Sequence, residues 1–154
     1  MRLIILLFLI VVLMAACNSA VQEWEAAQRA LVDYFSALHQ GQYAKAIPLY
    51  GGSYESLIAM NPDINSFDLD RLWKNGCTIN GLQCLSVRSA TLKEQIDNTF
   101  VFSVEFSNPD GSRFILGPCC GASETEMPPV GQFEYRVEKI NDGYRVLDLP
   151  VFVP

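Results

Sequence analysis

Thr99-Phe100-Val101-Phe102-Ser103-Val104-Glu105-Phe106 puts Phe100, Phe102, Val104 and Phe106 on alternate positions, with Val101, Ser103 and Glu105 between them. A period of two is that of a strand with one buried face. Directly after it, Asn108-Pro109-Asp110-Gly111 has the residues of a hairpin turn and leads into Arg113-Phe114-Ile115-Leu116. Upstream, Leu85 to Gln95 reads as another strand, turning at Ile96-Asp97-Asn98. Downstream, Asn141-Asp142-Gly143 joins Gln132–Ile140 to Tyr144–Leu149. Pairing Ile140 with Tyr144 sets Val137 against Leu147 and Tyr135 against Leu149. The same register places Arg136 opposite Asp148 on the outer face, a cross-strand charge pair. The second half of the chain is therefore expected to be an antiparallel meander of about five strands. Its inner face carries the phenylalanines, with Phe133, Tyr135, Leu147 and Leu149. Its outer face carries Glu105, Arg113, Glu134, Arg136, Glu138 and Asp148.

The first half has a different period. Ser19 and Gln22 form a capping box, and Val21, Trp24, Leu31, Phe35 and Leu38 recur at helical spacing, flanked by Ala27, Ala30 and Tyr34. Gly41 is placed to stop that helix. A short helix is expected over Gln42–Leu49, broken by Gly51-Gly52, and a further turn over Tyr54–Met60. Another helix is expected over Ser66–Lys74, with Ser66 as N-cap and Asp68 and Asp70 in its first turn. The predicted class is α+β, with N-terminal helices packed on one face of a curved antiparallel sheet.

Ala30-Leu31-Val32-Asp33-Tyr34-Phe35-Ser36-Ala37-Leu38-His39-Gln40-Gly41-Gln42-Tyr43-Ala44-Lys45-Ala46 resembles the opening helices of nuclear-transport-factor-2-like domains. That resemblance implies a cone formed by a sheet curved around helices, with a pocket inside, over about residues 20–150. The superfamily holds isomerases, dehydratases, hydrolases and many non-catalytic binding domains, so the likeness does not choose a function.

The N-terminus has its own signature. Arg2 is the only charge among the first sixteen residues, and Leu3 to Ala16 is an unbroken apolar run. It is shorter than the ~20 residues needed to cross a bilayer, and fits a secretory signal. Leu13-Met14-Ala15-Ala16-Cys17 resembles the lipobox of bacterial lipoproteins, in which the cysteine is lipidated and becomes the first mature residue. The expected organisation is a signal peptide over 1–16, a lipidated Cys17 with a very short tether over 17–19, and one α+β domain over 20–154. The expected location is the bacterial envelope, with the membrane engaged through the lipid and the domain close to the headgroups.

Composition narrows the partners. Removing 1–16 leaves 10 basic side chains against 17 acidic ones, a net charge of −7. An acidic chain with no basic run gains nothing from counterion release, so nucleic acid is not an expected partner, and no cofactor is expected. Beyond Cys17 four cysteines remain: Cys77, Cys84, Cys119 and Cys120. An even number in an exported protein points to disulfides. A local Cys77–Cys84 bridge across the Asn80-Gly81 turn is one pairing, and bridges from these two to Cys119 and Cys120 are the alternatives. Zinc sites use C-x₂₋₄-C spacing; here the spacings are C-x₆-C and C-C, and neighbours in extended chain point apart. No metal is expected there, nor calcium at Asp63, Asp68 and Asp70, whose spacing does not match a calcium loop.

The expected inner sheet face offers no carboxylate, histidine or lysine, and general acid–base chemistry requires a titratable group against the substrate. Tyr135 is its one polar side chain. His39, the lone histidine, falls at a helix C-terminus, where its charge suits the dipole, and Asp33 falls on a solvated helix face. No catalytic residue is assigned. Tyr34, Tyr50, Tyr54, Trp73 and Tyr135 are the candidate pocket residues, and Gly117–Gly131 is a long loop of the kind that meets partners. The leading expectation is a lipid-anchored, non-catalytic binding domain for a small apolar ligand or an envelope protein. An enzyme using the pocket through Tyr135 or Asp33, and a passive domain with a filled core, are the alternatives.

Overall fold

The computed structural model describes residues 23–153. The expected signal segment, Cys17, and the expected cap at Ser19 and Gln22 lie outside the described residues. Helix α1 covers 23–39 among them and buries Ala27, Leu31, Tyr34, Phe35 and Leu38 along one stripe. It ends as the sequence requires. Gly41 adopts φ +68°, its N–H reaches the Leu38 carbonyl at 3.0 Å, and the Gln42 N–H reaches Ala37 at 2.8 Å. Those two bonds make a Schellman cap, which only a residue at ease with positive φ closes cheaply.

Helix α2 (Tyr43–Ala46) tightens into a 3-10 turn (Ile47–Leu49) that contains Pro48. Helix α3 spans Glu55–Ala59 and α4 spans Leu69–Thr78. The start of α4 corrects the expectation of Ser66 as N-cap. Asn65 Oδ1 accepts the Phe67 N–H at 2.9 Å, so the chain is still turning at Ser66. The cap is Asp68, whose carboxylate accepts the Arg71 N–H at 3.2 Å.

Four strands follow: β1 (Ser86–Ile96), β2 (Thr99–Ser107), β3 (Phe133–Ile140) and β4 (Gly143–Val146). They form an antiparallel meander in that order. Strand β1 carries two register irregularities, between Val87 and Ser89 and between Leu92 and Glu94, which is how a strand bends. The expected fifth strand is absent among the described residues. Arg113–Leu116 contributes only two isolated bridges, Ser107 to Arg113 and Leu116 to Val130. Pro118, Pro128 and Pro129 flank the second bridge and supply no N–H to extend it.

A second correction concerns the β3–β4 hairpin. Ile140 pairs with Gly143 and Val137 with Val146, one residue away from the expected register. A one-residue slip exchanges the faces of a strand, so Val146 is buried in place of Leu147. The Arg136–Asp148 pair nevertheless forms: Asp148 accepts from the Arg136 backbone N–H at 2.7 Å and from its guanidinium at 2.5 Å. Beyond β4, Tyr50 bridges Val146 in parallel and the Gly51 N–H bonds the Val146 carbonyl at 2.8 Å, covering that sheet edge.

The inner face is apolar, with Phe100, Phe102, Val104, Phe106, Tyr135 and Val137 all buried under the helices. The outer face is laced by Lys93–Glu134, Arg113–Glu105 and Arg136–Asp148 pairs. Val101, on that outer face, is also buried; its cross-strand neighbours are Glu94 and Arg136.

Candidate functional site

The helices bring the candidate aromatic residues together. Tyr34 comes from α1, Trp73 from α4, and Tyr50 and Tyr54 from the segment between α2 and α3. Tyr34 lies 6.0 Å from Tyr50 and 5.9 Å from Trp73, and Tyr50 lies 5.1 Å from both Tyr54 and Trp73 between ring centroids. Tyr135 joins through Phe35, at 4.8 Å from it, and Phe35 is 5.0 Å from Tyr34. Most contacts are edge-to-face, the arrangement that adds to area burial. Tyr34 and Trp73 are 0 % exposed, Tyr135 2 % and Tyr50 5 %. These rings pack against one another and occupy the space they were expected to line.

Their polar atoms are mostly used internally. The Tyr50 hydroxyl donates to the Ser53 carbonyl at 2.9 Å, and Trp73 Nε1–H donates to the Tyr54 hydroxyl at 3.4 Å. The Tyr34 hydroxyl is buried without a protein partner. Burial, reinforced by neighbouring phenols, pushes Tyr34 well above the ordinary phenol value. Burial also raises Tyr50 and Tyr135, the latter opposed by a backbone hydrogen bond with Val151. Tyr54 is raised by burial and drawn back by the Trp73 N–H and Arg145. All four remain neutral phenols at physiological pH, poorly matched to proton transfer.

The other expected residues lie outside this cluster. Asp33 is exposed on α1 and borders a groove of about 500 Å³ with Arg29, Pro48, Tyr144 and Arg145. His39 Nδ1 is 3.1 Å from the Cys84 carbonyl, to which it donates, tying the end of α1 to the entry of the sheet. Asp68 and Asp70 serve the start of α4. Among the described residues no group of three or more histidine, cysteine, aspartate or glutamate side chains converges to hold a metal ion. A smaller groove of about 270 Å³ is lined by Ser56, Met60, Leu82, Leu149, Pro150 and Phe152. Phe152 is 49 % exposed there.

The cysteines divide into two kinds. Cys77 and Cys84 are bonded to each other, with Cα atoms 5.4 Å apart, so the expected alternatives linking them to Cys119 or Cys120 are set aside. Cys119 and Cys120 are free thiols. They do not point apart. Cys120 has φ +61° and Gly121 +88°, and the Ala122 N–H bonds the Cys119 carbonyl at 3.0 Å. This is a type I′ turn, and it brings the two Sγ atoms within 2.8 Å. The loop is held by a motif within its own sequence. Ser123 and Glu126 form a reciprocal capping box, with Ser123 N–H to Glu126 Oε2 at 2.9 Å and Glu126 N–H to Ser123 Oγ at 3.4 Å. The S-x-x-E spacing was a visible signal. That turn presents Met127, whose sulfur accepts the Cys119 N–H at 3.5 Å.

Fold and site together define a small α+β domain with a closed aromatic interior and a sulfur-bearing loop at its rim. No family model and no curated protein matches the chain.

Proposed function

We propose that the chain is an exported bacterial lipoprotein, anchored through Cys17, whose domain is a nuclear-transport-factor-2-like binding module without catalytic chemistry. The order of elements supports the family reading: helices first, then a meander whose first strand is bent. The observation that carries the functional reading is the closed interior. Tyr34, Tyr50, Trp73 and Tyr135, which would line a ligand pocket, are at most 5 % exposed and stack on one another. A partner therefore meets the outer surface, and an envelope protein fits that better than a small molecule held inside. Among the described residues, the groove of Met60, Leu82, Leu149, Pro150 and Phe152 offers a place to a small apolar ligand, and its size suits a compact one.

Native mass spectrometry of the full chain, expressed in its bacterial host and released from membranes in detergent, tests both parts. The expected mass is that of residues 17–154 plus acyl chains, with nothing further lost on denaturation. An unacylated or unprocessed chain overturns the anchor. A small molecule held only in the folded state overturns the reading that the partner is an envelope protein.

A further inference from the structure

We propose that Cys119 and Cys120 form a reversible redox site, a vicinal dithiol that exchanges two electrons with disulfides or dithiols of other molecules. Three observations converge on it. The sulfurs are 2.8 Å apart at an exposed turn. Cys120 takes a left-handed conformation, +61°, that non-glycine residues rarely adopt, and that conformation is what turns both sulfurs to one side. The other described cysteines are already bonded to each other, so neither thiol is left over from a structural bridge.

The chemistry is thiol–disulfide exchange. The Cys120 thiolate attacks one sulfur of a disulfide R–S–S–R′; that S–S bond breaks, and R′–S⁻ leaves and takes up a proton. Cys119 then loses its proton and attacks the Cys120 sulfur of the mixed disulfide, expelling R–S⁻, which is protonated in turn. Two S–H bonds are replaced by one S–S bond, and the other molecule is reduced to two thiols. A dithiol drives the reverse reaction. Cys120 is the attacking residue because it is exposed, whereas Cys119 is half-buried. The Cys119 thiol is also raised above its ordinary value, chiefly by its contact with Cys120, which suits a resolving role.

Reversibility follows from covalent geometry. Ordinary disulfides hold Cα atoms about 4.4–6.8 Å apart, while neighbours across a trans peptide sit at about 3.8 Å. A Cys119–Cys120 bond therefore closes a strained ring, and strained, exposed disulfides are the easily reduced ones. Cys77–Cys84, at 5.4 Å, is within the ordinary range. The Ser123–Glu126 capping box and the Leu116–Val130 bridge keep the turn ordered, so the second attack is intramolecular.

The test is a redox titration of the full-length protein in glutathione buffers, read by alkylation of free thiols and peptide mass spectrometry. The expected result is a reversible step in which the peptide holding both cysteines becomes two hydrogens lighter. Its midpoint should lie at a glutathione ratio at least about tenfold more oxidising than that of Cys77–Cys84. Cys119→Ser should arrest the reaction at a single glutathione adduct on Cys120. Two stable glutathione adducts on the native protein, thiols that never oxidise, or bridges from either residue to any other cysteine would each overturn the proposal.

Discussion

The two cysteine pairs of this domain have opposite surroundings. Cys77 lies in the last turn of α4 and Cys84 just before β1, and their bond, packed against the core, ties the helical half to the sheet. Cys119 and Cys120 lie on a loop of which no residue from Gly117 to Gly131 is fully buried. One pair is fixed by the core around it; the other is set by a turn and left accessible. The same division runs through the whole molecule. Its interior is committed to packing, and the free thiols of Cys119 and Cys120 are at the rim, where other molecules can reach them.

The sharpest way to break that comparison is to open the interior. Trp73→Ala removes the ring that touches Tyr34, Tyr50 and Tyr54, and should cost about 3–5 kcal/mol, read by chemical denaturation. A cost below about 1 kcal/mol would mean the cluster is not close-packed. Next comes the structural bridge. Replacing Cys77 and Cys84 together by serine frees a loop of sequence separation 7, and should lower stability by about 2–3 kcal/mol on the loop-entropy account.

Two conservative changes within the cluster should separate. Tyr50→Phe loses the bond to the Ser53 carbonyl and should cost about 1 kcal/mol, whereas Tyr34→Phe removes a buried hydroxyl without a protein partner and should be neutral or stabilising. Equal costs would contradict the assigned hydrogen bonds. The smallest effect belongs to the rim: replacing Cys119 and Cys120 by serine should leave the melting temperature unchanged while abolishing the redox step.

Much of this architecture is legible in the sequence. The alternation of Phe100, Phe102, Val104 and Phe106, the stripe from Ala27 to Leu38 and the stop at Gly41 each state a local preference that the packing then obeys. The failures have local causes as well. Val146 and Leu147 are both apolar, so the pattern does not say which faces inward, and the hairpin settles it by joining Ile140 to Gly143 across a two-residue turn. Phe114-Ile115-Leu116 reads as a strand, but the prolines around its partner Val130 remove the ladder donors. Cys119 and Cys120 diverge in extended chain, and only the φ of Cys120 reverses that. The candidate site was legible as a set of residues. Whether five aromatic rings line a space or fill it depends on distances between α1, α4 and β3 that no single segment encodes.

The closed interior is tested most directly by ultraviolet titration of the tyrosines in the full-length protein, followed alongside far-ultraviolet circular dichroism. Burial raises Tyr34, Tyr50 and Tyr135 above the value of 10.0 that they take when the chain is unfolded. The neutral phenol is thus favoured by the fold. That contribution is fully present below about pH 10 and is lost as pH rises above it, when the unfolded phenols ionise first. The account predicts that these three ionise only together with cooperative loss of secondary structure, at a pH above 10. Ionisation of all three near pH 10 with the dichroism intact would mean that water already reaches them, and would contradict it.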